Sequence, residues 1–243
     1  MSLAGKRALV TGASGVLGAA IARRLARDGA ALLLHANSRP EAVEQLAQAI
    51  RAEGGEAEPC VFDLTDADAT RAACDAMLLA GPVQILVNNA GVHDDAVFPG
   101  LRAEQWHRVI DVSLHGFFHV TQPLLLPMLR TRWGRVINLS SVAALMGNRG
   151  QVNYAAAKGA LNSATKALAL EVASRGVTVN AIAPGIIEST MANAVFDAAT
   201  IAQRVPCKRA GTPEEVAALA GFLASEEAAY ITGQVISING GMA

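Results

Sequence analysis

Arg7-Ala8-Leu9-Val10-Thr11-Gly12-Ala13-Ser14-Gly15-Val16-Leu17-Gly18 is the stretch that decides the fold. A short apolar run of strand character breaks into a glycine-rich turn. From Ala19 to Asp28 apolar residues then recur at helical spacing, with Gly29 as a stop. Glycines let a backbone turn tightly and approach a pyrophosphate, and the helix behind them offers N–H groups and the positive end of its dipole. The stretch predicts strand, phosphate-binding turn and helix in succession. A turn needed only for packing is the bland alternative.

The same alternation continues outward. Ala31–Leu34, Glu58–Phe62, Gln84–Val87, Arg135–Leu139, Thr178–Ile182 and Gln234–Ile238 read as further strands. Glu41–Glu53, Asp66–Leu79 and Asn153–Arg175 read as helices. Continuously apolar strands between amphipathic helices predict a parallel sheet covered on both faces. The expected class is α/β: one doubly wound Rossmann domain over residues 1–243, with about seven strands. Residues 186–211 are the least regular. They follow a strand end, where such sheets bind ligands, so a mobile lid is expected over a plain surface excursion.

Composition narrows the partners. Hydrophobic residues make up 52% of the chain and charged ones 17%, enough for a large core and too apolar for disorder. A net charge of −1 gives no reason to expect nucleic acid or an anionic membrane. The N-terminus does not read as a secretory signal, and no apolar run approaches the roughly 20 residues of a membrane span. Cys60, Cys74 and Cys207 have neither disulfide nor metal-ligand spacing, so a reducing, cytoplasmic setting is expected. His115 and His119 share a helical face, but no carboxylate or cysteine pattern accompanies them and no metal is expected.

The chemistry gathers at Tyr154 and Lys158. Residues four apart share a helix face, so the lysine ammonium is expected beside the phenol. A neighbouring cation lowers a tyrosine pKa from about 10, which would make an acid/base device for neutral pH. The second strand runs into His35-Ala36-Asn37-Ser38-Arg39 without the carboxylate that accepts from an NAD ribose. A 2′-phosphate is not repelled there and Arg39 can pair with it, unless Arg39 is merely a solvated cation. NADP(H) is therefore preferred, with NAD(H) still open. Asp63 suits an adenine amine, a helix cap, or both. Asn88-Asn89-Ala90-Gly91 follows the fourth strand, where small residues admit a cofactor and asparagines tie loops together.

On these residues the chain resembles the short-chain dehydrogenase/reductase family along its whole length. The resemblance rests on Thr11-Gly12 to Gly18, Asn88-Asn89-Ala90-Gly91, Ser141 thirteen residues before Tyr154, Lys158, and Pro184-Gly185. Within the family it is similar to the 3-oxoacyl-[acyl-carrier-protein] reductases, including specialised ketoreductases of the aryl-polyene type.

The resemblance implies hydride delivery from nicotinamide, Tyr154 as proton donor, Ser141 holding the carbonyl oxygen, and Lys158 on both the tyrosine and the nicotinamide ribose. It implies cofactor contacts at Gly12, Ser14, Gly15, Leu17, Gly18, Asn37, Ser38, Arg39, Asp63, Leu64, Asn89, Ala90, Gly91, Tyr154, Lys158, Pro184, Gly185, Ile187 and Ser189. It also implies a homotetramer, and an acyl carrier protein docked at Arg132 and Arg175, with Arg130 and Arg135 adding charge. As ordinary arginines at helix ends, these would mean nothing. Three positions depart from the family pattern. Val16 replaces the middle glycine of the turn, with Gly15 beside it. Ser113 stands where the family has a catalytic asparagine that supports a water relay to the lysine. Ser189 replaces the usual threonine.

Overall fold

The computed structural model describes residues 2–189 and 197–243 of the 243-residue chain. Seven strands form one sheet: β1 (Arg7–Val10), β2 (Ala31–Ala36), β3 (Ala57–Val61), β4 (Ile85–Asn88), β5 (Gly134–Leu139), β6 (Val177–Pro184) and β7 (Val235–Ile238). Their order is β3-β2-β1-β4-β5-β6-β7, and every pairing is parallel. The chain winds outward from β1 in one direction and then from β4 in the other. The reversal lies between β1 and β4, where doubly wound sheets open a ligand crevice at the carboxyl ends. The expected doubly wound architecture is present.

Helices α1 (Val16–Arg27), α2 (Pro40–Ala52), α3 (Ala67–Leu79), α4 (Ala103–Ile110), α5 (Gly116–Thr131), α6 (Ala143–Met146), α7 (Val152–Val172), α8 (Ala198–Arg204) and α9 (Pro213–Ala224) occur among the described residues. Their apolar faces meet the sheet from both sides. Ile21 and Leu25 of α1 and Val216 and Leu223 of α9 share one core with Val10 and Leu34. Leu124 and Met128 of α5 and Val172 of α7 share the other with Leu9 and Leu86. Burying such side chains on each face supplies most of the driving force, about 1.5–3 kcal/mol apiece.

Two details position the site. A π-helical turn, Asp111–His115, joins α4 to α5. A buried polar chain runs along the face of the sheet covered by α5 and α7: Asn88 Nδ2 donates to Asn138 Oδ1 at 2.9 Å and to Thr121 Oγ1 at 3.1 Å, and Asn138 Nδ2 donates to Thr165 Oγ1 at 2.8 Å. Of the irregular stretch read as a lid, residues 190–196 lie outside the described residues. Its described part contains α8, capped by Asp197, and a single bridge between Ile187 and Gly211.

Candidate active site

The glycine turn folds as its sequence requires. Gly12 has φ +64°, and a Cβ there would stand 3.0 Å from Ala90 Cα. A Cβ on Gly18 would run into the Gly12 carbonyl oxygen. Gly15 caps α1 without any side-chain bond, Ser14 lies just before it, and the first turn around Leu17 holds no acidic residue. The first N–H groups of a helix lack intrahelical partners, so this end suits an anion. Thr11 Oγ1 accepts from the N–H groups of Asn89 and Ala90, each at 3.0 Å. Asn89 Nδ2 donates back to the Thr11 carbonyl at 2.8 Å and the Gly12 carbonyl at 3.1 Å. The asparagine motif thus ties neighbouring loops, as its sequence suggested.

Farther along the crevice, Asn37, Ser38 and Arg39 are exposed at the end of β2, with Arg39 at the N-cap of α2. The Asp63 carboxylate accepts from Thr65 N and Oγ1, both at 2.8 Å. Those bonds, chiefly the backbone one, hold its pKa below the usual value, and Asn37 adds another. Asp63 caps no helix: Asp66 does, through Ala69 N. The buried Leu64 follows Asp63, and its carbonyl accepts from His119 Nδ1 at 2.8 Å. His115 turns instead to Asp111, at 2.9 Å. At the other end, Pro184 closes β6, and a Cβ on Gly185 would stand 2.7 Å from Asn239 Cα. Ile187 and Ser189, both half-buried, continue from there.

Ser141, Tyr154 and Lys158 meet at the carboxyl end of β5. The Ser141 hydroxyl contacts the Tyr154 phenol and also accepts from Ala143 N at 3.1 Å. Lys158 is buried, its Nζ 5.8 Å from the tyrosine ring centroid and donating to the Leu139 carbonyl at 2.6 Å. A Cβ on Gly91 would stand 3.3 Å from that Nζ, so Gly91 leaves the ammonium its room.

The expected pKa direction is not what this geometry gives. Burial pushes the Tyr154 phenol above its ordinary value; the Ser141 contact opposes this and Asp95 adds to it. Burial also lowers Lys158, to about 8. Withdrawal from water penalises charge on both groups and sets the direction of each shift. Tyr154 is thereby kept as a proton-bearing phenol.

Ser113 lies inside the π-turn. The π-turn is formed here with a serine, which brings a hydroxyl and no side-chain amide. Its hydroxyl is buried and has no hydrogen-bond partner among the described residues. A cavity of about 10 Å³ adjoins it, lined by Thr11, Asn88 and Gly116 among others. That volume is on the order of one water.

Two readings of the arginines change. Arg135 is not a docking charge: it is 2% exposed, stacks on Trp133, and is held by the Ser225 carbonyl and Glu226. Arg132 and Arg175 do come together, since Arg132 donates to the Ser174 carbonyl at 3.3 Å. They are not beside the cleft. Arg132 precedes β5 and Arg175 precedes β6, so both mark the amino ends of strands whose carboxyl ends carry the site. The length of β5 puts them roughly 20 Å away.

Sequence reading also missed Asn153. Its Nδ2 donates to the carbonyls of Asp94 at 2.9 Å and Gln105 at 3.2 Å, and its Oδ1 accepts from Tyr154 N at 2.9 Å. It fixes the loop after Gly91 against the tyrosine helix. Its place directly before Tyr154 was the available signal.

A glycine turn of the kind that suits a phosphate and a Ser–Tyr–Lys cluster at the same edge of a doubly wound sheet point to the class, an oxidoreductase. A family model described as Enoyl-(Acyl carrier protein) reductase matches residues 12–243. The 3-oxoacyl-[acyl-carrier-protein] reductase FabG of Vibrio cholerae is 45% identical over 246 residues, covering 100% of this chain and 99% of the relative. An acetoacetyl-CoA reductase of Acinetobacter is 41% identical, with 98% and 97% covered. The crystal structure of a putative gluconate dehydrogenase from Agrobacterium tumefaciens superposes with a TM-score of 0.95 at 35% identity, covering 99% of this chain and 97% of that one. The chain belongs to the short-chain dehydrogenase/reductase family.

Proposed function

We propose that this protein reduces a 3-oxoacyl thioester on an acyl carrier protein to the 3-hydroxyacyl product with NADPH. The observation that carries the chemistry is the convergence of Ser141, Tyr154 and Lys158 on the carboxyl end of β5, beside the glycine turn. The reductases of the FabG type among its relatives support the substrate class.

The cradle suits a dinucleotide, because Gly12 and Gly18 leave no space for side chains where the turn and the Asn89 loop close together. Gly12, Ser14, Gly15, Leu17 and Gly18 would hold the pyrophosphate. Asn37, Ser38 and Arg39 would hold the 2′-phosphate, and Asp63 with Leu64 the adenine. Asn89, Ala90 and Gly91 would line the ribose, and Pro184, Gly185, Ile187 and Ser189 the carboxamide. When bound, the nicotinamide supplies a hydride to the carbonyl carbon.

Tyr154 passes its phenolic proton to the carbonyl oxygen as negative charge develops there. A raised pKa suits this direction, since the donor is loaded at neutral pH. Ser141 donates to the same oxygen and holds it in line. Lys158 stabilises the phenolate left behind, and the π-turn at Ser113 leads protons toward the lysine.

Arg132 and Arg175 are read as the carrier's docking pair. Exposed Phe118 and Leu126 on one face of α5, Leu170 on α7 and Tyr230 before β7 support assembly, as a homotetramer. No helix among the described residues is long and apolar enough to cross a membrane. A cytoplasmic setting is proposed from the likeness to the FabG reductases.

The test is NADPH oxidation with a carrier-linked 3-oxoacyl thioester, run beside the CoA thioester, NADH, gluconate and a simple ketone. Fast, carrier-enhanced use of NADPH is expected. Preference for the free thioester or the sugar acid would overturn the carrier reading, and silence with every acceptor would favour a nucleotide-binding protein without turnover.

A further inference from the structure

His35 is the penultimate residue of β2, with 1% of its surface exposed, and neither the sheet nor the proposed chemistry requires an imidazole there. Its ring spans two loops of the crevice. Gly12 N donates to Nδ1 at 3.1 Å, and Nε2 lies 2.9 Å from the Phe62 carbonyl oxygen. The partners fix the tautomer: a backbone N–H needs an acceptor at Nδ1, and a carbonyl needs a donor at Nε2. The His35 carbonyl also accepts from Ala13 N at 2.8 Å. One residue thus holds two consecutive amides of the glycine turn, one of them in a left-handed conformation. The ring packs against Phe62 with centroids 4.3 Å apart.

We propose that His35 is a positioning residue for the dinucleotide, clamping the Gly12 turn through its neutral ring, so that protonation releases the turn and weakens cofactor binding. This rests on the cofactor reading above. A second proton on Nδ1 would face the Gly12 N–H donor to donor, leaving a buried amide unpaired.

Burial lowers the pKa of His35, against raising contributions from its bond to Phe62 and from Asp63. Asp63 is the charged group acting on the ring. Cys60, its register partner on β3, stays an uncharged thiol, pushed up to about 12. A depressed histidine pKa means the unfolded chain binds the proton first, so the clamp is intact at neutral pH and loses stability as pH falls below about 6.5.

Deuterium exchange in the peptide Leu9–Gly18, corrected for its intrinsic pH dependence, and calorimetric titration of NADP+ test this. Both are run as a series from about pH 7.5 down to about pH 4 on wild type, His35→Asn and His35→Phe, because burial places protonation of the folded ring below about 6.5. Asparagine presents an amide oxygen near the place of Nδ1 and does not titrate. Acidification should cost the wild type its protection and about tenfold in affinity, and His35→Asn less than about threefold. His35→Phe should start about tenfold weaker and stay flat. Any titration of the ligand's own phosphates is common to all three. Parallel acid losses in all three proteins, or His35→Phe matching wild type at neutral pH, would overturn the proposal. If the wild type binds no NADP+ at neutral pH, the cofactor reading fails on its own. The exchange data then decide the clamp: acid loss in wild type but not in His35→Asn supports it, and any other pattern refutes it.

Discussion

Replacing Lys158 with methionine should make the protein more stable while removing its activity. The lysine is buried, and burial lowers its pKa from 10.5 to about 8. Each pKa unit corresponds to about 1.4 kcal/mol, so keeping the ammonium charged in the folded state at neutral pH costs about 3 kcal/mol. Methionine removes that cost but leaves the Leu139 carbonyl without its donor, a loss of about 1 kcal/mol. The net gain near neutral pH is about 2 kcal/mol, or roughly 4–8 °C in Tm for a domain of this size. The sign with pH follows from proton counting. Between about 8 and 10.5 the unfolded chain holds a proton that the folded wild type has released, so wild-type stability rises with pH there. The advantage of Lys158→Met is therefore full below about pH 8. It shrinks through that window and ends as a small deficit above about pH 10.5. Urea melts of both proteins at neutral and alkaline pH measure it. A variant no more stable than wild type at pH 7, or a gain that is the same at pH 7 and pH 10, would refute the reasoning.

Tyr154→Phe should lower kcat by at least about a thousandfold while cofactor affinity stays within about threefold, since only the proton donor is lost; equal losses in both would make the tyrosine structural. Ser113→Asn should raise turnover severalfold if the orphaned hydroxyl and its cavity limit the proton path; steady-state kcat that is flat or lower defeats that idea. Arg39→Glu should shift the kcat/KM ratio from NADPH toward NADH by about tenfold or more, by placing a carboxylate where a 2′-phosphate would sit; an unchanged ratio would make Arg39 a solvated cation. Arg132→Glu with Arg175→Glu should raise KM for a carrier-linked substrate and spare the CoA thioester, and equal effects on both would sink the docking pair.

The parts of the site carried by local sequence were legible. A glycine turn between strand and helix, and a tyrosine one helical turn before a lysine, place their own side chains. His35 was not legible, because its partners lie 23 and 27 residues away and meet it only in the sheet. Arg135 was misread for the same reason: its burial depends on Glu226, 91 residues on. The direction of the Tyr154 pKa also failed from sequence. Spacing reports the neighbouring charge but not the desolvation that sets the direction. Helix α5 carries Pro123 and Pro127 in its interior, which break the usual helical pattern, and it is held by Val120, Leu124 and Met128 against the core. The π-turn has no compositional signature, and nothing in Asp111-Val112-Ser113-Leu114-His115 distinguishes it from an ordinary helical turn.

The amide rung on the α5/α7 face bears on how the chain finds its structure. Asn88 and Asn138 are register partners on β4 and β5. Apolar neighbours tolerate a slipped pairing far better than two buried amides do, because a slip by one residue sends each amide to the opposite face. There it would lose Thr121 and Thr165 as well as its partner. Each mispaired arrangement of the central strands thus carries stranded polar groups, while the native one satisfies them together. In a sheet built wholly from long-range crossovers, where strands must search for their neighbours, this rung penalises the wrong alignments as the surrounding core closes over them and excludes water.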